Sequence, residues 1–273
     1  MNLLSFAFPN TEISAPLPAV VEGAQPAVQV NHLGTIFPDN NGGLEALKDV
    51  TFSVQDQEFV CILGPSGSGK STLLRVLAGL LSPTKGEVCF AGGDCNGRVP
   101  RIGYVFQQAN LMPWRNVLEN IALPLDLLGV SKNEIAARAH QMIELVGLQG
   151  FEHNWPGELS GGMAQRVAIA RALIHDPDIL LLDEPFGALD ALTRERMGAE
   201  LLRIWHAKRK TVLMVTHSIS EAIFLADRVL VLTSRPGQIC LDLPINLPRP
   251  RLEEMRYTVQ FGSLAHQLRT AIG

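Results

Sequence analysis

One segment of the 273-residue chain restricts its possible folds more than any other: Gly64-Pro65-Ser66-Gly67-Ser68-Gly69-Lys70-Ser71. It follows the apolar run GluPheValCysIleLeu at 58 to 63. It precedes SerThrLeuLeuArgValLeuAlaGlyLeuLeu, where Leu73, Leu77, Leu80 and Leu81 share a helical face and Pro83 ends the helix. Strand, glycine-rich turn and helix in that order set main-chain N–H groups at a helix N-terminus, where they and the helix dipole bind phosphate. Glycine is needed where the backbone closes on the anion. Lys70 reaches the β- and γ-phosphates, Ser71 ligates magnesium, and the set Gly64 to Thr72 holds the nucleotide. A chance match in a chain this long is on the order of one in a hundred, so a glycine-rich turn without nucleotide is the weaker reading.

The rest of the chain suits one large domain built around such a unit. Hydrophobic residues make up 47%, enough for a sizeable core. A net charge of -4 gives no broad attraction to nucleic acid or to anionic lipid, so partners must be recognised at specific sites. No window reaches the roughly 18 to 20 apolar residues of a membrane span. Cys61, Cys89, Cys95 and Cys240 are too few for a disulfide framework; Cys61 and Cys89 lie in strand-like runs and read as reduced thiols of a cytoplasmic protein. The leading segment has no Lys or Arg before Lys48, unlike a secretory or transit signal.

Strand-like runs at 28 to 30, 51 to 54, 58 to 63, 102 to 106, 179 to 182, 211 to 215 and 228 to 232 alternate with helical patterns, the signature of a mostly parallel sheet covered by helices. Residues 1 to about 27, with four prolines, read as a flexible extension, and 248 to 273 as a packing tail. Between two core strands, about 110 to 160, lies a helical insertion. Its clearest helix starts at the capping pair Ser131 and Glu134, aligns Ile135, Ala139, Met142, Ile143 and Val146 on one stripe, and closes at Gly147.

Two further motifs carry chemistry. Leu159-Ser160-Gly161-Gly162-Met163 opens a helix; alone, Ser160 would be an ordinary cap, but two glycines after it build a second anion site from backbone N–H groups. The apolar strand ending in Asp183-Glu184 presents paired carboxylates, Asp183 for the magnesium shell and Glu184 to orient and polarise the attacking water. Burying such a pair without partners is costly, which argues against a purely structural role.

From about residue 28 to 247 this order of motifs resembles the nucleotide-binding subunits of ATP-binding cassette transporters. The resemblance implies an α/β phosphate-loop core with an antiparallel β subdomain and an inserted helical subdomain, and ATP with Mg2+ as ligands. It implies that Gln107 touches magnesium and water, that His217 contacts the γ-phosphate and holds Glu184, and that Asp190 communicates across two subunits. By the residues alone, Gln107 could be a surface amide, His217 structural and Asp190 a helix cap. Phe37 is the candidate for stacking on adenine, with an ordinary loop phenylalanine as the alternative.

The same resemblance implies a head-to-tail dimer with a second copy or a similar ATPase subunit, ATP lying between the phosphate loop of one and Ser160 to Met163 of the other. It implies integral membrane permease subunits docking at Gln108 to Pro124, indirectly a substrate-binding protein, and a peripheral place on the cytoplasmic face of a bacterial inner membrane. Met163, Ala164 and Gly187 depart from common family residues. With LeuMetProTrpArg at 111 to 115 and SerArgProGlyGlnIle at 234 to 239, they resemble the branch importing nitrate, sulfonate, taurine or bicarbonate. A soluble cassette ATPase acting on ribosomes or DNA is disfavoured, because such relatives resemble two fused cassettes or carry long coiled coils or zinc cysteines, and this sequence shows neither. A non-catalytic nucleotide-binding module is disfavoured by intact Lys70, Glu184 and His217.

Overall fold

In the computed structural model, the residues described are 25–38, 43–91 and 100–273. In chain order the elements are β1 (Val28–Phe37), β2 (Leu44–Val54), β3 (Phe59–Leu63), α1 (Lys70–Leu77), β4 (Lys85–Phe90), β5 (Ile102–Val105), α2 (Val117–Leu127), α3 (Lys132–Leu145), α4 (Gly161–Leu173), β6 (Ile179–Asp183), α5 (Ala191–Lys208), β7 (Thr211–Val215), α6 (Ile219–Leu225), β8 (Arg228–Leu232), β9 (Ile239–Pro244) and α7 (Val259–Ile272).

Strands β3, β6 and β7 are buried at every residue, because a parallel sheet is covered on both faces and has no side to give to water. They lie in a six-stranded sheet of order β5-β6-β7-β3-β8-β9, parallel except for β9, which returns antiparallel beside β8. The two-residue period of each strand divides the core. Phe59, Cys61 and Leu63 face one layer with Leu180, Leu182, Val212 and Met214, under the inserted helices and α5 to α7. Val60 and Ile62 face the other with Ile179, Leu181, Leu213 and Val215, against α1 and the second sheet. That second sheet is antiparallel, of order β2-β1-β4, with Val28 opposite both Val54 and Phe90.

Helices α2, α3 and α4 lie between β5 and β6 in the chain and pack on one another. Ser131 caps α3 by accepting from the Glu134 N–H, and the stripe Ile135, Ala139, Met142, Ile143 and Val146 is buried. The Gly147 φ of 62° turns the chain out of the helix. Asn116 and Glu119 form a reciprocal capping box on α2, and the buried Asn120 amide ties the preceding loop to it through Met112, Arg115 and Asn116.

Several expectations need correction. Helix α1 stops at Leu77, because Gly79 takes a left-handed φ of 69°; the chain leaves the helix before Pro83, and Leu80 is 63% exposed. Strand β9 carries no continuous apolar run: it is an edge strand with alternate residues half-buried. Cys61 is buried and free, and burial pushes its thiol well up. Cys89 is disulfide-bonded and only half-buried on the edge strand β4, so it is not a reduced thiol packed inside. Of the proposed extension, residues 1–24 lie outside the described residues.

The tail is anchored by Trp205 on α5. Its ring meets Phe59 edge-on at 5.8 Å, its indole N–H donates to the Lys210 carbonyl, and the Arg249 guanidinium lies 4.3 Å over its face. Arg249 also pairs with Asp227, whose other oxygen accepts the Phe59 N–H at the start of β3. Arg251 is buried, donates to the Ala226 and Ile245 carbonyls, and is pushed down to about 10 by burial and then by Arg249. Helix α7 buries Phe261, Leu264 and Leu268 against α6 and β8. Trp205→Ala is expected to lower unfolding free energy by about 3–5 kcal/mol, read by denaturant titration. It should also speed tryptic cleavage after Arg251, whose side chain is buried in the intact tail.

Candidate functional site

The site forms where β3 ends and α1 begins. A Cβ on Gly64 would lie 2.8 Å from the Leu232 carbonyl oxygen, and one on Gly69 2.7 Å from Leu47 and 2.8 Å from the Ala46 oxygen. Only glycine lets the loop run between β2 and β8. Gly69, with φ of 89°, is the N-cap of α1 and supplies no side-chain cap, so the N-terminal end of the helix is open to an anion. Lys70 is buried, and its Nζ donates to the Gly64 and Pro65 carbonyls at 2.9 and 2.8 Å. Burial lowers the Lys70 pKa, and the charges of Glu184 and Asp183 partly restore it.

Strand β6 brings the acids to this loop. Its period turns Asp183 to the α1 side of the sheet, the side of Ile179 and Leu181, where its Oδ1 accepts the Ser71 hydroxyl at 2.8 Å. Tyr104 on β5 donates to the other oxygen at 3.2 Å; burial and then the Asp183 charge push the phenol pKa up. The next residue, Glu184, leaves the strand with a left-handed φ of 45°, a conformation costing roughly 1–3 kcal/mol for a non-glycine residue and concentrated at functional sites. Its carboxylate Oε2 lies 3.2 Å from His217 Nδ1 and accepts from Gln107 Nε2 at 3.4 Å. Gly187 borders this group: a Cβ there would make ordinary contact, 3.5 Å from Gln107 Nε2 and 3.6 Å from Glu184 Oε2.

One cavity of about 390 Å³ collects the phosphate loop from Ser66 to Thr72 with Glu184 and His217 at its polar end, and Phe37, Leu44 and Ala46 at its apolar end. Phe37, the last residue of β1, is 36% exposed there. The second motif is not part of this cavity. Ser160 caps α4 by accepting from the Met163 N–H, and Gly161 and Gly162 pack toward Leu189 and Thr193. Asp190 caps α5, accepting from the Thr193 N–H at 3.0 Å, and the Thr193 contacts hold its carboxyl below the usual range. The structure therefore brings Lys70, Ser71, Asp183, Glu184, Gln107 and His217 together, and leaves Ser160 to Gly162 and Asp190 as a separate cluster.

Side chains that sequence reading passed over hold these loops. Thr216 donates to the buried Glu221 carboxylate at 2.6 Å and accepts the Ser218 N–H at 3.0 Å, which shapes the backbone on both sides of His217. Burial pushes Glu221 up; Arg194, 3.5 Å away, opposes the shift. Arg194 also donates to the Leu189 carbonyl, so α6 and the Asp190 loop share one ion pair. On the opposite flank, Arg171 of α4 donates to the Ala109 and Asn110 carbonyls just after Gln107. Thr216 is adjacent to a residue already singled out, but Arg194, Glu221 and Arg171 carry no local signal; only the packing of helices makes them neighbours.

A glycine loop with a buried lysine, two acids at a strand end and a flanking histidine define a phosphate-loop nucleotide hydrolase. Residues 47–187 match the family model described as ABC transporter. The chain is 51% identical over 224 residues to an uncharacterised ABC transporter ATP-binding protein of Methanocaldococcus jannaschii, covering 82% of this chain and 84% of that one. It is 47% identical to the nitrate import ATP-binding protein NrtD of Synechocystis (81% and 83%) and 45% identical to the taurine import ATP-binding protein TauB of Shigella sonnei (81% and 86%). A solved dimeric ATP-binding cassette in a post-hydrolysis state with ADP and phosphate superposes with a TM-score of 0.71 at 35% identity, covering 81% of this chain and all of that one. The chain belongs to the ABC transporter family, as an ATP-binding subunit that hydrolyses ATP in coupling to transport. Among the described residues, no helix is long and apolar enough to cross a membrane.

Lys70 costs the fold stability when charged, because burial holds its folded pKa below the ordinary lysine value of 10.5. The unfolded chain then binds more protons than the folded one between those two values, so this group's penalty is full at lower pH and fades as pH rises toward 10.5. Lys70→Met is expected to melt above the wild type in nucleotide-free buffer at pH 7. That gap should narrow at pH 10, as scanning fluorimetry across the range would read.

Proposed function

We propose that this chain energises import of a small anion or organosulfonate, of the nitrate, sulfonate, taurine or bicarbonate class, through separate membrane permease subunits, from a peripheral position on the cytoplasmic face of the membrane. The observation that carries the chemical part is the Glu184 carboxylate, held between His217 and Gln107 in the wall of the cavity that also holds Lys70. Sequence similarity to the nitrate and taurine import subunits supports the transported class.

In this reading the loop N–H groups and Lys70 bind the polyphosphate, and Phe37 stacks on the adenine. Ser71 and Asp183 present a hydroxyl and a carboxylate oxygen 2.8 Å apart at the start of α1. That donor set fits Mg2+, which prefers one or two protein oxygens and keeps water and phosphate as its other ligands; Gln107 would add an amide oxygen. An ion held there would supply charge neutralisation to the polyphosphate. Glu184 accepts hydrogen-bonding from the attacking water and orients it toward the γ-phosphate, while His217 fixes the carboxylate and reaches the departing phosphate.

Ser160, Gly161 and Gly162 have no triphosphate to meet within their own chain. Their role follows if a second subunit pairs head-to-tail, which sets this cradle on the partner's γ-phosphate and lets Asp190 face across the seam. The pairing of cassettes in the solved dimeric relative supports that arrangement. Exposed Phe106, just before the segment Gln108 to Pro124, and exposed Trp114 within it suit contact with a permease helix.

Glu184→Gln keeps the shape and one hydrogen bond but loses the negative charge. ATP turnover is expected to fall by at least about 100-fold, with ATP affinity within a few-fold and an ATP-dependent dimer that becomes stable enough to isolate by size exclusion. Turnover equal to wild type would remove Glu184 from this role. Uptake of labelled taurine and nitrate, in cells with and without the chain, distinguishes the transported class.

A further inference from the structure

The run SerArgProGlyGlnIle at 234 to 239 marks a branch of the family by its sequence, but the chemistry above leaves it idle. In the fold it is the turn between β8 and β9, and it lies on the back of the phosphate loop. Gly237 packs so tightly that a Cβ there would be 2.1 Å from the Ser68 carbonyl oxygen. The turn is laced to β2 by Lys48 N–H donating to the Gly237 carbonyl and Gly237 N–H donating to the Ala46 carbonyl, both at 3.0 Å. It is closed internally by Thr233, whose N–H donates to the Gln238 carbonyl and whose hydroxyl donates to the Pro236 carbonyl and accepts the Gln238 N–H.

This rigid turn presents Arg235 in the wall of the same cavity as Lys70. The Gly64 and Pro65 carbonyls of the loop are taken by Lys70, and the Gly67 carbonyl accepts from Arg235 Nε at 3.3 Å. That bond uses one of five guanidinium donors. Arg235 makes no ion pair among the described residues. An unpaired, pre-positioned cation beside a cradle for a polyanion gains its counter-charge only when that polyanion enters. We propose that Arg235 is a nucleotide-binding residue, a second cation beside Lys70 that bears on the polyphosphate while bracing the loop through Gly67. The inference rests on the nucleotide occupying this cavity, as in the reading above.

The test uses the full chain, with fluorescent ATP binding and steady-state hydrolysis as readouts. Arg235→Ala is expected to weaken ATP affinity about 5- to 10-fold at low salt, with a larger rise in KM than fall in kcat, and the deficit should shrink toward 0.5 M salt as charge is screened. Arg235→Lys, which keeps the charge without the fork, should recover part of the affinity. Competition by uncharged adenosine should be unaffected. An ATP affinity within about two-fold of wild type in Arg235→Ala, or an equal loss for adenosine, would overturn the proposal. Lys70→Ala separates the two readings: if it abolishes ATP binding while Arg235→Ala does not, only the role of Arg235 fails. If neither weakens binding, the nucleotide does not occupy this cavity.

Discussion

The hydrogen bond from Ser71 to Asp183 is the junction on which the site depends. Ser71 is at the start of a helix that grows from the phosphate loop, and Asp183 ends a strand two places away across the sheet, beyond β7. The bond sets the loop, the α1 N-terminus and the acid pair in one frame. Glu184 follows Asp183 directly in the chain and lies in the same cavity as Lys70.

Around that junction the elements act as supports with separate tasks. The turn 233–238 and β2 enclose the loop from behind, where steric room for a single methyl group is missing at Gly64, Gly69 and Gly237. Helix α6 shapes the backbone at His217 through the buried Thr216 and Glu221 pair, and α5 neutralises that buried carboxylate with Arg194. Helix α4 secures the segment after Gln107 through Arg171. Arg171 on α4 and Arg194 on α5 thus tie segments beside Glu184 to the two helices whose N-termini are proposed to face a second subunit.

Much of this was legible in the residues. The central strands announced themselves by continuous apolar runs, and α3 by its cap, stripe and terminal glycine, because those signals are local. The strand β9 and the length of α1 were not. An edge strand has no continuous apolar signal, and Leu80 and Leu81 extend a helical pattern that Gly79 ends by leaving the right-handed region. Cys89 shows the same limit, since its bonding depends on what an edge strand meets and not on its own apolar neighbours.

By itself the sequence determined which chemistry is possible here: a glycine loop able to hold phosphate, a lysine and serine behind it, paired acids after a buried strand, and a second glycine pair opening another helix. Each is encoded within a few residues, because backbone freedom and strand periodicity are local properties. The tertiary structure alone decided which of those pieces meet. It set Asp183 on Ser71 and His217 on Glu184, sent Arg194 to Glu221 and Arg235 to Gly67, and kept Ser160 to Gly162 apart from the loop. Those contacts are set by strand order and helix packing and join residues 33 positions apart at His217 and Glu184 and 168 apart at Arg235 and Gly67, so no short window of sequence contains them.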